Sequence, residues 1–110
     1  MTAALLCGTA FGITGCHSKS TLTPQQAEGK QLYEVGCAHC HEQNDLGLKK
    51  KPPDLHGLFN RDKLPGGGPA TDADVEQVLL HGKGMMPSFA YQMTREQMAA
   101  LLAYLHTGLR

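Results

Sequence analysis

The segment GCAHCHEQ, residues 36–43, constrains the fold of this chain more than any other stretch of its sequence. Cys37 and Cys40 lie three positions apart, and His41 follows directly. Three kinds of site use this pattern: a redox dithiol, one corner of a zinc site, and an attachment point for haem. Because each of these sites needs different support from the surrounding chain, the rest of the sequence decides among them.

The first two kinds of site lack the support that they require. A redox dithiol opens a helix after a buried strand, whereas here a predicted helix precedes the motif and no strand pattern is present in the sequence. A structural zinc site needs four ligands, usually as two separated pairs. The predicted domain has no second cysteine pair, and His56, His81 and His106 are isolated from one another in sequence.

The spacing of the motif suits covalent haem attachment for a geometrical reason. On a helical turn Cys37 and Cys40 lie at i and i+3, so both thiols face one side and can bond the two vinyl groups of a porphyrin. His41 lies at i+4 from Cys37 and places an imidazole nitrogen beneath the iron. A large apolar cofactor would also enlarge the core of a 110-residue chain that has no Trp, three Phe and three Tyr.

Three helices are predicted around the motif. Each begins at a threonine that can cap the first turn and ends at a glycine, which gives the spans 23–36, 71–82 and 94–108. Pro24 suits the first turn of the first helix, and Gln97 completes a capping box at the start of the last one. Most of the regular structure is therefore expected in these three segments.

The remaining segments are predicted to be long loops. Residues 44–70 are rich in Pro and Gly, with a short helical turn expected at Leu55–Phe59. Gly29 lies inside the first predicted helix, where it costs about 1 kcal/mol relative to Ala, so a close contact with another helix is expected there. With no strand pattern and no internal repeat, the domain is predicted to be all-α, with three to four helices.

Taken together, these segments resemble the class I c-type cytochromes over roughly residues 24–106. The stretches that carry the resemblance are GKQLYEVGCAHCH, PPDLHGLFNR, GMMPSF and the terminal MAALLAYL. The resemblance implies the class I cytochrome c fold, with helices and long loops wrapped round one haem c. It also implies that Cys37 and Cys40 bind that haem covalently and that His41 is an iron ligand.

A methionine supplies the second iron ligand in this family. Met86, which precedes a proline in a Gly-rich loop, matches that ligand, and Met85 is the competing candidate. Met93 and Met98 are interpreted as core residues, because Met98 lies on the apolar stripe of the last predicted helix. His81 is a weaker alternative, since a histidine at a helix end usually caps carbonyl groups.

The resemblance also implies roles for residues around the iron. The carbonyl of Pro53 would accept a hydrogen bond from the second ring nitrogen of His41, and Leu55 would pack against the ring face. Arg61 matches an arginine that reaches toward a haem propionate; the alternative is an exposed loop charge. The expected contact between the first and last helices involves Gly29, Tyr33, Leu102 and Tyr104.

An iron with both axial positions filled has no vacancy for a substrate, so the resemblance implies single-electron exchange between redox partners such as a respiratory complex, dehydrogenase or oxidase. The rival hypothesis is a haem enzyme or a gas or peroxide sensor whose methionine detaches, although no distal His or Arg is identifiable near Met86. Ten basic and ten acidic residues balance, which gives no indication of nucleic-acid binding. The lysines at 49–51 are either a docking site for an acidic partner or a solvated loop.

Residues 1–16, MTAALLCGTAFGITGC, are interpreted as an export signal rather than as part of the domain. The run is uncharged and shorter than the roughly 20 apolar residues that span a bilayer. Its final ITGC resembles a bacterial lipobox, which implies a lipid on Cys16. The alternative is a plain signal or a disordered tail with a free cysteine, and Cys7 is interpreted as an apolar residue of the signal core. Residues 17–23 would be a polar tether and 24–110 the cytochrome domain, exported to the periplasmic side and anchored by the lipid.

Overall fold

The computed structural model describes residues 21–110, and within that range its regular elements are helical apart from two isolated β-bridges. The predicted all-α class is therefore confirmed. The export signal, Cys7 and the lipidation site Cys16 lie outside the described residues. In chain order the elements are α1 (Pro24–Gly36), α2 (Ala38–His41), a 3-10 turn (Leu58–Asn60), α3 (Asp72–His81) and α4 (Arg95–Leu105).

Helices α1 and α4 begin with the same capping box. Thr23 and Thr94 each accept a hydrogen bond from the N–H of a glutamine, Gln26 and Gln97, at 3.1 Å, and the glutamine side chains accept from the threonine N–H groups at 2.9 Å. These bonds satisfy N–H groups that a helix start leaves without partners. Helix α4 ends before Gly108, the predicted stop, which lies in the following turn at a φ of +74°.

Helix α3 follows the predicted signals at both ends. Thr71 accepts a hydrogen bond from the N–H of Asp74 at 3.3 Å, and the acidic residues of the first turn oppose the positive end of the helix dipole. Gly82 ends the helix at a φ of +72°, a conformation that glycine adopts without strain. The short turn predicted in the long loop forms at Leu58–Asn60 instead of Leu55–Phe59.

The core is centred on the contact between α1 and α4. A Cβ on Gly29 would lie 1.9 Å from the carbonyl oxygen of Ala100, so the missing side chain allows the two backbones to touch. The rings of Tyr33 and Tyr104 meet edge to face with their centroids 5.6 Å apart. The predicted contact between the first and last helices is confirmed, with Ala100 rather than Leu102 closest to the glycine.

Other apolar side chains from all parts of the domain complete this core. Met98 is buried, as expected for the apolar stripe of α4, and Val75 and Leu79 bring the inner face of α3 against the same cluster. Leu58 from the 3-10 turn and Phe89 from the loop before α4 belong to the same cluster. Between residues 21 and 110 no helix has the length and apolar character needed to cross a membrane.

Candidate functional site

The cysteine–histidine motif adopts a helical turn. The N–H groups of Cys40 and His41 donate to the carbonyl of Cys37 at 3.2 and 2.9 Å, and α2 forms directly after α1 with Cys37 as the junction. Cys37 and Cys40 are free thiols, the first buried and the second partly buried. The turn therefore presents two unpaired sulfurs and an imidazole within one short segment.

The environment of Cys37 differs from that of a redox cysteine. Burial raises the pKa of its thiol to about 11, and the neighbouring Cys40 adds to the shift. Reactive dithiols instead have a lowered pKa, because the thiolate is the nucleophile. The structure therefore disfavours the redox dithiol that the spacing alone allowed.

The ring of His41 is oriented by a single backbone acceptor. Its Nδ1 atom lies 2.8 Å from the carbonyl oxygen of Pro53, the acceptor that the resemblance implied. Because a carbonyl can only accept, Nδ1 carries the hydrogen and Nε2 keeps its lone pair for a metal. Hydrogen bonds of this kind fix the tautomer and orientation of metal-binding histidines.

The loop that contains Pro53 is held by polar contacts among its neighbours. Asp54 accepts from the N–H and from the ring Nδ1 of His56 at 2.9 and 2.6 Å, and these bonds, with help from Arg61, lower the pKa of Asp54. Arg61 donates through Nη2 to the carbonyls of Asp54 and His56, both at 3.1 Å. Arg61 therefore stabilises the loop behind His41, a role that sequence analysis missed, while its contact with a propionate stays a prediction.

A buried tyrosine connects α1 to the residue that follows His41. The hydroxyl of Tyr33 donates to Glu42 Oε1 at 3.1 Å, and burial, with Glu42 adding, raises the Tyr33 pKa well above its ordinary value. The ring of His56 approaches the same carboxylate oxygen, with Nε2 3.9 Å from Oε1. Glu42 thus joins the core of α1 to the loop that carries Pro53.

The two candidate methionines differ in their surroundings. Met85 is 76% exposed, whereas Met86 is partly buried and packs against the core. The backbone fixes this difference, because the N–H and carbonyl of Lys83 pair with those of Met86 at 3.1 and 3.0 Å in an isolated antiparallel bridge. Gly82 lies so close that a Cβ there would be 2.5 Å from the Met86 carbonyl oxygen.

His39, His81 and His106 each have a protein partner, and His39 Nδ1 lies 2.7 Å from Asp45 Oδ2. His81 Nε2 lies 3.0 Å from the side-chain oxygen of Gln77, so it bonds a neighbouring side chain rather than the expected helix-end carbonyls. His106 pairs with Asp72 at 2.5 Å and stacks on Phe59 with ring centroids 3.7 Å apart. Within residues 21–110 no three His, Cys, Asp or Glu side chains form a group able to bind a metal.

These donors fit a haem. The motif provides two free thiols on one turn and an imidazole whose Nε2 is available, and a separate loop provides a thioether that faces the core. Leu55 is partly buried and packs against the core, while its contact with the face of the haem stays a prediction. Besides Leu55 and Met86, the partly buried apolar side chains that pack against the core are Leu22, Phe59, Leu64, Leu80, Met93 and Leu109.

Comparison with known proteins identifies the class as c-type cytochrome. The family model described as cytochrome c oxidase, cbb3-type, subunit III, matches residues 24–105. Cytochromes c6 of Thermosynechococcus vestitus and Thermostichus vulcanus are each 27% identical over 105 residues, which cover 90% of this chain and 84% of the relative. Cytochrome c6 of Synechococcus elongatus is 30% identical over 84 residues, covering 71% of this chain and 84% of the relative. No solved structure gave a significant match.

The chain belongs to this family of class I c-type cytochromes. It is a mono-haem electron carrier with one covalently attached haem c, and it transfers electrons rather than catalysing the conversion of a substrate. Redox proteins are therefore its partners.

Proposed function

We propose that Cys37 and Cys40 bond the haem, that His41 and Met86 are its two axial ligands, and that the protein transfers single electrons between redox partners outside the cytoplasmic membrane. The observation that carries this proposal is the hydrogen bond between His41 and Pro53. Because His41 uses Nδ1 for this bond, its Nε2 keeps a lone pair for the iron, on the same turn as both thiols. When bound, a haem iron with imidazole and thioether ligands exchanges one electron, and the soft sulfur favours its reduced form.

The surroundings of the two methionines support Met86 as the sulfur ligand. Its side chain packs against the core, whereas that of Met85 extends into solvent. The bridge between Lys83 and Met86 keeps the two residues in this register. An exchange of their roles would require this bridge to break.

Leu55 and Arg61 complete the proposed site. Leu55, partly buried at the core, would exclude water from the face of the cofactor next to His41. Arg61 donates twice through Nη2, and a guanidinium has five N–H groups, so donors remain for a propionate. The same side chain would then bind the cofactor and hold the loop of Pro53.

The N-terminal segment determines where the protein works. We propose that residues 1–16 form a lipoprotein signal, that a tether follows, and that a lipid on Cys16 holds the cytochrome domain at the membrane. The predicted tether, 17–23, overlaps the domain at its end, because Leu22 packs against the core and Thr23 caps α1. The family match, which starts at residue 24, supports this division. The intact mass of the mature protein would reveal the haem adduct and the processed, acylated N-terminus together; a mass without acyl groups would contradict the lipid anchor.

Replacing each methionine in turn tests the iron ligand. Met86→Ala should abolish the weak iron–sulfur absorption band of the oxidised protein and lower its reduction potential, because water or a harder ligand then replaces the thioether. Met85→Ala is the matched control and should leave both the band and the potential nearly unchanged. The opposite pattern would assign the ligand to Met85.

Carbon monoxide binding distinguishes the electron carrier from the enzyme or sensor. A carrier with both axial positions filled should bind carbon monoxide slowly in its reduced form, whereas Met86→Ala should bind it at once. Immediate binding by the unmodified protein would instead show that the methionine detaches readily, as the rival hypothesis requires.

A further inference from the structure

The glycine-rich segment between the 3-10 turn and α3 forms a closed loop. We call residues 63–69 the glycine loop; its first and last residues form an isolated antiparallel bridge. Inside it, the N–H of Leu64 donates to the carbonyl of Gly68, and the N–H of Gly67 donates to that of Leu64, both at 2.9 Å. These hydrogen bonds make the glycine loop a defined structural unit, which its composition alone does not predict.

The methionine loop, residues 82–89, is attached to the end of α3. The hydroxyl of Ser88 donates to the carbonyl of Leu80 at 2.5 Å, and the N–H of Phe89 donates to that of Leu79 at 2.7 Å. These contacts follow Met86 in sequence and fix the C-terminal half of the loop. The N-terminal half has a different support.

That support is a lysine that crosses to the glycine loop. Lys83 Nζ donates to the carbonyl oxygen of Gly66 at 3.0 Å, and the backbone of the same lysine pairs with Met86. One residue therefore connects the turn that carries the methionine to a second closed loop, 17 positions away in sequence.

The shape of Gly66 fits this contact. A Cβ at that position would lie 2.0 Å from Lys83 Nζ and 2.7 Å from its Cε, so a side chain there would displace the lysine. Gly67 and Gly68 have φ values of +90° and +83°, which by themselves favour glycine, whereas Gly66 does not have such a φ. A side chain at position 66 would therefore move the flexible end of Lys83 away and break its hydrogen bond to the carbonyl of Gly66.

We propose that Lys83 is a positioning residue, which latches the methionine loop onto the glycine loop and so limits how often Met86 moves away from the cofactor. The proposal rests on Met86 being the iron ligand. Breaking the latch should leave the resting site intact, because the contacts at Ser88 and Phe89 remain. The rate at which the methionine loop opens should rise, whereas the absorption spectrum of the resting protein should stay the same.

The rate at which imidazole displaces the sulfur from the oxidised protein measures loop opening. Lys83→Ala and Gly66→Ala should each raise this rate about threefold, the effect expected for a solvent-exposed hydrogen bond from a charged donor. Lys63→Ala is the matched control, since it also removes one positive charge, here from the glycine loop, without touching the Lys83–Gly66 contact. It should leave the rate unchanged. Lys83→Arg keeps a donor and should restore most of the wild-type rate.

Combining Lys83→Ala with Gly66→Ala tests whether the two substitutions act through one contact. The double variant should open about threefold faster than wild type rather than about ninefold, because the second substitution has nothing left to break. A double variant that opens about ninefold faster would overturn the latch, and so would single variants that open at the same rate as Lys63→Ala.

Hydrogen exchange separates this proposal from the identity of the iron ligand. The N–H of Met86 donates to the carbonyl of Lys83, so its exchange in the haem-loaded protein should accelerate in Lys83→Ala and Gly66→Ala whichever group binds the iron. If Met86→Ala leaves the iron–sulfur band unchanged, the ligand assignment fails, and exchange still tests the latch. Unchanged exchange in both latch variants would refute the latch even where Met86 is the ligand.

Discussion

Replacing Gly29 with alanine should force apart the two helices that form the core. A Cβ at this position would lie 1.9 Å from the carbonyl oxygen of Ala100 and 2.8 Å from the Cβ of Tyr104. Both atoms belong to the framework of α4 rather than to a flexible side chain, so rotation of a side chain cannot relieve the clash. Restoring ordinary contact at about 3.5 Å requires the helices to separate by roughly 1.6 Å.

Three effects determine how much Gly29→Ala lowers the free energy of unfolding. Overpacking of this kind costs about 1–3 kcal/mol, and loss of the edge contact between Tyr33 and Tyr104 costs about 1 kcal/mol more. The higher helix propensity of alanine offsets about 1 kcal/mol of that loss. The free energy of unfolding should therefore fall by about 2 kcal/mol, which corresponds to a thermal midpoint lower by about 10 °C in a domain of this size.

Urea unfolding followed by far-UV circular dichroism measures this loss, and Gly36→Ala is the control. Gly36 also lies in α1, but a Cβ there would meet only the side chains of Phe89 and Met93, at 3.6 and 3.8 Å. The control should unfold at the wild-type urea concentration or slightly above it. If Gly29→Ala unfolded at the same urea concentration as Gly36→Ala, the close contact between α1 and α4 would not be the reason why position 29 requires glycine.

Two further substitutions test individual hydrogen bonds. The lowered pKa of Asp54 means that its ionised form stabilises the folded chain above the ordinary aspartate range, and that this contribution disappears as pH falls through the folded pKa. Asp54→Asn should therefore be less stable than wild type near neutral pH, and the difference should shrink between about pH 5 and about pH 3 in urea titrations; a constant difference would contradict the assignment. Thr94→Ala removes the cap that accepts from Gln97 and should lower the free energy of unfolding by about 1 kcal/mol in the same titrations, whereas Thr94→Ser should retain most of it.

Features encoded by neighbouring residues were predicted well from the sequence. The threonine caps at 23, 71 and 94 and the motif around Cys37 depend on residues a few positions apart, and the structure forms helices where those signals lie. The position of Pro53 beside His41 followed from family resemblance, since the two residues lie 12 positions apart. Local chemistry and resemblance together therefore located most of the proposed site.

Contacts between distant segments were not predictable in the same way. The latch between Lys83 and Gly66 and the pairing of His106 with Asp72 join loops and helix ends whose mutual placement depends on the whole core. Helix α4 also ends before its predicted stop at Gly108, because the N–H groups of Thr107 and Gly108 donate to the carbonyls three residues back, those of Tyr104 and Leu105, at 2.9 and 3.2 Å. The hydroxyl of Thr107 donates to the same carbonyl of Tyr104 at 2.6 Å.

The carbonyl that orients His41 belongs to the second of two consecutive prolines, Pro52 and Pro53. Their rings fix φ, so this backbone has few ways to move. The speed of electron exchange depends on how far the surroundings must rearrange when the charge on an iron changes, and groups held in advance rearrange little. With His41 as the proposed iron ligand, the paired prolines would lower the reorganisation energy on the histidine side and so favour rapid transfer in both directions.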